Sequence, residues 1–119
     1  MRKFLTPDRK KRHLMPASID EWLPEKHLAR FVVEILEQLD LSAIYQEYKP
    51  SGPPPYDPRM LLGLLFYGYA SGVFSSRKIE EATYDSVAFR FISGNLHPDH
   101  DTLADFRKRF LEQIGNCFV

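Results

Sequence analysis

Apolar residues recur at helical spacing along most of the chain, and the first clear run lies between residues 25 and 39. Its apolar positions follow the i, i+3, i+4, i+7 pattern, which places them on one stripe of a helix with Glu34 and Glu37 opposite. The stripe consists of Leu28, Phe31, Val32, Ile35, Leu36 and Leu39. We therefore expect an amphipathic helix over 25–39 whose stripe faces the protein core.

The next segment predicts a short helix over 42–48 with Ser42 as its N-terminal cap, followed by a proline-rich connector over 50–58. Asp57 and Pro58 mark the start of a third helix. The Asp carboxylate accepts an unpaired amide, and Pro at the first helical position loses no hydrogen bond.

The third helix, predicted over 58–70, is the expected centre of the fold because the run from Met60 to Ala70 is apolar on every side. Gly63 and Gly68 each cost this helix about 1 kcal/mol of propensity relative to Ala, which predicts close packing against other helices. Its aromatic residues, Phe66, Tyr67 and Tyr69, are expected to be core residues.

Three more helices follow from the remaining apolar spacing. They are predicted over 75–84, 86–92 and 102–114. The first begins near Ser75 or Ser76, the second near Asp85 or Ser86, and the third at Asp101–Thr102. No segment has the strict alternation of a half-buried strand. The predicted fold is therefore all-α, a compact multi-helix domain.

Two pairs of these helices form helix-turn-helix-like units, 58–70 with 75–84 and 86–92 with 102–114. In such a unit the N-terminal end of the second helix protrudes and enters the major groove of DNA. The first unit offers the candidate DNA-binding residues Ser75, Ser76, Arg77 and Lys78. Glu80 and Glu81 follow one turn later, where they either repel phosphates or pair with Arg77 and Lys78.

The last helix adds three basic residues, which splay around its axis at 100° per residue. Arg107 falls near the apolar stripe, so we expect a partly buried ion pair with Asp99 or Asp101. Lys108 and Arg109 point away from the core and are candidates for phosphate contacts. The alternative for both is an ordinary solvated face.

The formal net charge is zero, with 16 basic and 16 acidic residues, but the charge is unevenly distributed. Residues 1–13 have six basic residues and one acidic residue, whereas 16–57 have three basic and eight acidic residues. We interpret residues 1–15 as a basic N-terminal arm. Its Lys10, Lys11 and Arg12 are candidate DNA contacts, since cations near phosphates release condensed counterions. A merely solubilising arm is the alternative.

The sequence predicts no catalytic residue and no metal ligand. The run from His97 to Asp101 contains two imidazoles and two carboxylates, but turn and cap chemistry explains it more simply than a metal site. A lone Cys117 forms no internal disulfide and no thiolate zinc site. The absence of a signal peptide and of a long apolar segment predicts a cytoplasmic protein without membrane contact.

Four ordered blocks of sequence carry a family resemblance. They are WLPEKHLARFVV at 22–33, PPYDPRMLL at 54–62, YGYASGV at 67–73 with SSRKIE at 75–80, and PDHDTL at 98–103 with FR at 106–107. Together they resemble the N-terminal domain of bacterial insertion-sequence transposases of the DDE class, the InsH-like type. The resemblance implies a helical domain, here 16–119, that binds the terminal inverted repeats of the element. In full-length members it also implies a ribonuclease-H-like domain whose three carboxylates bind a divalent metal ion, which we expect to be Mg²⁺.

Such carboxylates need a rigid sheet, which this sequence does not supply. We therefore expect a transposase fragment, a truncated product or a standalone relic of the recognition domain, which binds double-stranded DNA without a cofactor or catalysis of its own. The alternative is a helical interaction module that forms homodimers, or that assembles with full-length transposase and inhibits it. The neutral overall charge favours this alternative.

Overall fold

The computed structural model describes residues 4–7, 23–48 and 52–116, with the backbone alone described for 111–116. Over these residues the chain forms helices and no strand, which confirms the all-α prediction. The helices are α1 (Leu28–Gln38), α2 (Ser42–Tyr45), α3 (Pro58–Ser71), α4 (Ser76–Asp85), α5 (Val87–Ser93) and α6 (His100–Asn116). None of these helices combines the length and apolarity that a bilayer span requires.

Helix α3 lies at the centre of the fold, as predicted, and α1, α4, α5 and α6 all pack against it. A Cβ at Gly63 would lie 2.9 Å from a methyl carbon of Leu36 in α1 and 3.1 Å from one of Ile92 in α5. A Cβ at Gly68 would lie 3.1 Å from a methyl carbon of Ile79 in α4. The two glycines therefore allow the close packing that the sequence predicts.

Helix α1 buries a different face from the predicted one. Its buried residues are Ala29, Val32, Val33 and Leu36, whereas Leu28, Phe31 and Ile35 are exposed. The apolar positions of this helix span about 200° when placed at 100° per residue, and α3 and α5 cover only part of that arc. The prediction that the whole stripe faces the core is therefore wrong for half of its residues.

The predicted caps of three helices are confirmed. The side chains of Asp57, Ser75 and Ser86 accept the amides of Arg59, Lys78 and Phe89, respectively. Two other predicted caps are wrong. At α2 the Asp40 carboxylate, not the Ser42 hydroxyl, provides the contact, accepting the Ser42 amide at 3.0 Å. Helix α6 begins at His100, before the predicted Asp101–Thr102, because Asp99 caps it by accepting the Thr102 amide at 2.9 Å.

The start of the described chain is attached to the connector that precedes α3. Leu5 makes backbone hydrogen bonds of 2.7 Å and 3.2 Å with Pro55 and Asp57. The Phe4 ring packs edge-on against Tyr45, with ring centroids 5.2 Å apart. These residues belong to the predicted basic arm, and the Phe4 ring and the Leu5 backbone attach them to the helical body.

Arg59 and Tyr45 form a polar junction between α1, α2 and the start of α3. The Arg59 guanidinium donates to the Leu36 carbonyl and, at 3.0 Å, to the Leu39 carbonyl, so it satisfies the C-terminal end of α1. The Tyr45 hydroxyl donates to the Asp57 carboxylate. Burial and this hydrogen bond raise the pKa of Tyr45 to about 12.

Candidate nucleic-acid interface

The turn between α3 and α4 exposes the N-terminal end of α4. Helix α3 ends at Ser71 and is capped by Gly72, whose φ of 84° is the left-handed conformation that favours glycine. The Ser75 hydroxyl then caps α4 by accepting the Lys78 amide at 3.3 Å. Within the described residues, the amides of Ser76 and Arg77 have no acceptor. Helix N-terminal amides of this kind bind anions.

Cations surround this end of α4. Arg77 and Lys78 lie in its first turn and are exposed, and Asp85 lies in its last turn. This charge order opposes the helix dipole, which favours anions at the N-terminus and cations at the C-terminus. Neither cation has an ion-pair partner in the described part of the chain. An anion bound here would satisfy the free amides and offset the unfavourable charge order.

Arg107 brings a third cation to the same turn from α6. Its guanidinium donates to the Phe74 carbonyl, directly before the α4 cap, at 3.1 Å. The side chain is exposed, and no described acidic group pairs with it. The prediction of a partly buried ion pair with Asp99 or Asp101 is therefore wrong. On α6 the residue faces the α3–α4 turn instead, a long-range contact that helical spacing does not show.

The two glutamates of α4 have different surroundings. The Glu80 carboxylate turns away from Arg77 and Lys78 and accepts the His100 amide at 2.8 Å, with His100 Nδ1 also at 2.8 Å. These hydrogen bonds from His100 lower the pKa of Glu80. Glu81 is exposed and remains on the same side of α4 as the two cations. Of these two glutamates, Glu81 is therefore the one that opposes an anion at the α4 end.

The second helix-turn-helix-like unit has no comparable free end. The N-terminus of α6 already holds two carboxylates, because Glu80 accepts the His100 amide and Asp99 accepts the Thr102 amide. Asp101, in the first turn, adds a further negative charge. These carboxylates occupy the His100 and Thr102 amides and repel phosphate, so the structure distinguishes two units that the sequence leaves equivalent.

The other predicted DNA-binding residues lie on α6 or outside the described residues. Lys108 is exposed on α6, beside Arg107 in sequence. Arg109 lies on the opposite side of α6, where it donates to the Glu47 carbonyl at 2.7 Å and covers the Phe110 ring. The remaining three, Lys10, Lys11 and Arg12, lie outside the described residues.

A family model described as a transposase domain (DUF772) matches residues 17–109, which include Ser75–Lys78 and Arg107. The chain belongs to this transposase-domain family. The finding confirms the transposase resemblance of the sequence blocks. No curated protein and no solved structure matches the chain.

The histidines of this transposase domain have structural contacts. His97 Nδ1 lies 3.2 Å from the Thr83 hydroxyl, and its ring stacks on Tyr84 with centroids 3.8 Å apart. Burial, aided by the charge of Arg90, lowers the pKa of His97. Among the described residues, no three His, Cys, Asp or Glu side chains form a group that could hold a metal ion.

The exposure of Tyr69 in this transposase domain was not predicted, because the sequence indicated a core residue at this position. Tyr67 is buried and Phe66 is partly buried, but Tyr69 is 76% exposed. It lies beside Phe74, which is 59% exposed, at the turn that leads into α4. Tyr69 occupies the last turn of α3, where the surrounding helices no longer cover it.

Proposed function

We propose that this domain is the DNA-binding module of a transposase and that it recognises the terminal inverted repeats of the element with the N-terminal end of α4. The observation that carries the proposal is the combination of two free amides with Arg77, Lys78 and Arg107 at one exposed turn. A DNA phosphate is the anion that this arrangement suits.

Each member of the cluster has a distinct part in the proposed complex. The amides of Ser76 and Arg77 bind one phosphate, with the hydroxyls of Ser75 and Ser76 at its edge. Arg77 extends into the major groove, where its guanidinium is suited to the O6 and N7 atoms of guanine. Lys78 and Arg107 neutralise neighbouring phosphates, and Lys108 extends this contact along α6.

The proposal assigns recognition, and not chemistry, to this chain. The described residues form no group of metal ligands, and the His97 and His100 rings are engaged with Thr83 and Glu80. In our proposal a separate domain of the transposase supplies the metal-dependent strand cleavage. Incubation of the purified chain and the element ends with Mg²⁺ should leave the DNA intact on a denaturing gel, whereas cleavage would contradict this assignment.

The salt dependence of DNA binding tests the recognition role. The probe is a labelled duplex of the element end, taken from the genomic sequence that flanks the gene, and binding is followed by fluorescence anisotropy. If about six phosphates are neutralised, the logarithm of the association constant should fall with the logarithm of salt concentration with a slope near five. Binding that does not respond to salt would refute the proposal.

Single substitutions locate the contact. Arg77→Ala and Lys78→Ala should each reduce the slope by about one, and Arg77→Ala should also reduce the preference for the element end over unrelated duplex. Lys26→Ala removes one exposed cation before α1 and is the matched control, for which we expect an unchanged slope. Equal effects of Lys78→Ala and Lys26→Ala would show that the α4 end is not the contact.

The exposed stripe of α1 favours a second candidate function, self-association or assembly with full-length transposase. Leu28, Phe31 and Ile35 present a row of apolar side chains that the described residues leave uncovered. Light scattering across a range of protein concentrations, with and without DNA, separates the candidates. A stable dimer that Phe31→Glu converts to monomer, and that DNA does not affect, would support this role over DNA recognition.

A further inference from the structure

Two exposed aromatic rings form a pair beside the cationic end of α4. Tyr69, in the last turn of α3, is 76% exposed, and Phe74, in the following turn, is 59% exposed. Their ring centroids lie 5.7 Å apart at an interplanar angle of 69°, so the rings meet edge to face. Both rings therefore have faces open to solvent, and neither belongs to the buried core.

The pair is held in place by backbone contacts on both sides. The Val73 amide donates to the Gly68 carbonyl at 2.7 Å, which closes the end of α3. The Phe74 carbonyl accepts the Arg107 guanidinium, and the next residue, Ser75, caps α4. The aromatic rings are thus presented by an ordered turn, and their exposure does not result from a loose loop.

We propose that Tyr69 and Phe74 form a stacking site for an unpaired nucleobase of the DNA that the α4 end binds. The inference rests on the proposed function and extends it from double-stranded DNA to distorted or partly opened DNA. Surfaces that bind unpaired nucleic acid combine aromatic rings for the bases with cations for the backbone. Arg107 joins the two elements here, since it contacts the residue that carries one of the rings.

The charge and size of the patch favour a base over a protein partner. Arg77, Lys78 and Arg107 have no acidic partner among the described residues, so they complement a polyanion. Two rings supply far less apolar area than the roughly 800 Å² that each partner contributes to a standard protein interface. Stacking on an aromatic ring needs only one ring face, and it tolerates any base because every base has a π-face.

A comparison of three DNA probes tests the inference. The probes are a fully paired duplex, the same duplex with one unpaired base near its centre, and the corresponding single strand. We expect the wild-type chain to bind the probe with the unpaired base about tenfold more tightly than the paired duplex. Tyr69→Ala or Phe74→Ala should remove most of this preference and leave the salt dependence of duplex binding intact.

Conservative variants separate stacking from a structural effect. Tyr69→Phe and Phe74→Tyr keep an aromatic ring and should keep the preference for the unpaired base. Tyr84→Ala is the matched control, because Tyr84 is 56% exposed but already stacks on His97. It should leave the preference unchanged. Thermal melting of each variant verifies that the fold is retained.

Photochemical crosslinking tests the same contact in the wild-type chain, without any substitution. A 5-bromouracil at the unpaired position should crosslink to a peptide that contains Tyr69 or Phe74. Crosslinks confined to other peptides would overturn the inference. So would equal binding of paired and unpaired probes, or self-association that Tyr69→Ala abolishes without any base preference. In these cases salt-dependent duplex binding would still support the proposed function, whereas its loss would refute both.

Discussion

Substitution of Gly68 by Ala tests how the fold positions the α4 end. An added Cβ would lie 2.6 Å from the Val73 carbonyl oxygen and 3.1 Å from a methyl carbon of Ile79. The first contact is with backbone, which cannot rotate away as a side chain can. Overpacking of this kind costs about 1–3 kcal/mol. Movement of Val73 would also weaken its amide bond to Gly68, at about 1 kcal/mol.

The helix propensity of Ala opposes these costs by about 1 kcal/mol. The expected net loss for Gly68→Ala is therefore about 1–3 kcal/mol in the free energy of unfolding. At roughly 4 °C per kcal/mol, this lowers the melting temperature by about 4–12 °C. The Val73 shift should also displace the turn to Ser75, so DNA affinity should fall even where the variant is fully folded.

Gly63→Ala is the matched control, because it makes the same change in the same helix. Its Cβ would meet Leu36 and Ile92 at 2.9 Å and 3.1 Å, but both contacts are with side-chain methyl groups that can shift. We expect its overpacking and its propensity gain to cancel within about 1 kcal/mol. Urea unfolding of the three proteins gives the comparison. A Gly68→Ala variant as stable as wild type, or as stable as Gly63→Ala, would show that the Val73 carbonyl does not exclude a Cβ at position 68.

Three further predictions concern charged and titratable groups. Glu81→Gln should raise DNA affinity a few fold in anisotropy titrations without changing the melting temperature. Glu80→Gln should lower the melting temperature without raising DNA affinity. The reverse pattern would contradict the exposed position of Glu81 and the contact of Glu80 with His100. Because burial lowers the pKa of His97 in the folded state, its contribution to stability is present above about pH 6.5 and is lost as the pH falls through the folded pKa. Urea midpoints should therefore fall between about pH 7 and pH 5, and less so in His97→Gln. Arg59→Met should cost about 2–3 kcal/mol in urea unfolding, because it removes two hydrogen bonds that a charged donor makes to the Leu36 and Leu39 carbonyls at the end of α1.

The helices and most caps could be predicted from the sequence because they depend on local patterns. Asp57, Ser75 and Ser86 cap the helices that follow them, and such contacts involve residues three or fewer positions apart. The buried face of α1 could not be predicted in the same way. Its apolar arc is wider than the surface that covers it, so the choice of face depends on how α3 and α5 approach the helix.

The candidate site, like the buried face of α1, could be predicted only in part from local sequence. Ser75–Lys78 follow from the local sequence, but their surroundings depend on contacts between distant residues. Glu80 reaches across 20 positions to the start of α6, and Arg107 reaches across 33 positions to Phe74. The Glu80 contact occupies the N-terminal end of α6, and the Arg107 contact brings a cation to the N-terminal end of α4. Spacing along a single helix does not contain that information.

Nuclear magnetic resonance titration of the labelled chain with the element-end duplex locates the DNA contact on the protein. If the α4 end binds the duplex, the amide resonances of Ser76 and Arg77 should shift most, because their amides bind phosphate, and the resonances around the start of α6 should change little. Largest shifts at His100–Thr102, or no shift at Ser76 and Arg77 under conditions where the duplex binds, would contradict the assignment of DNA recognition to α4.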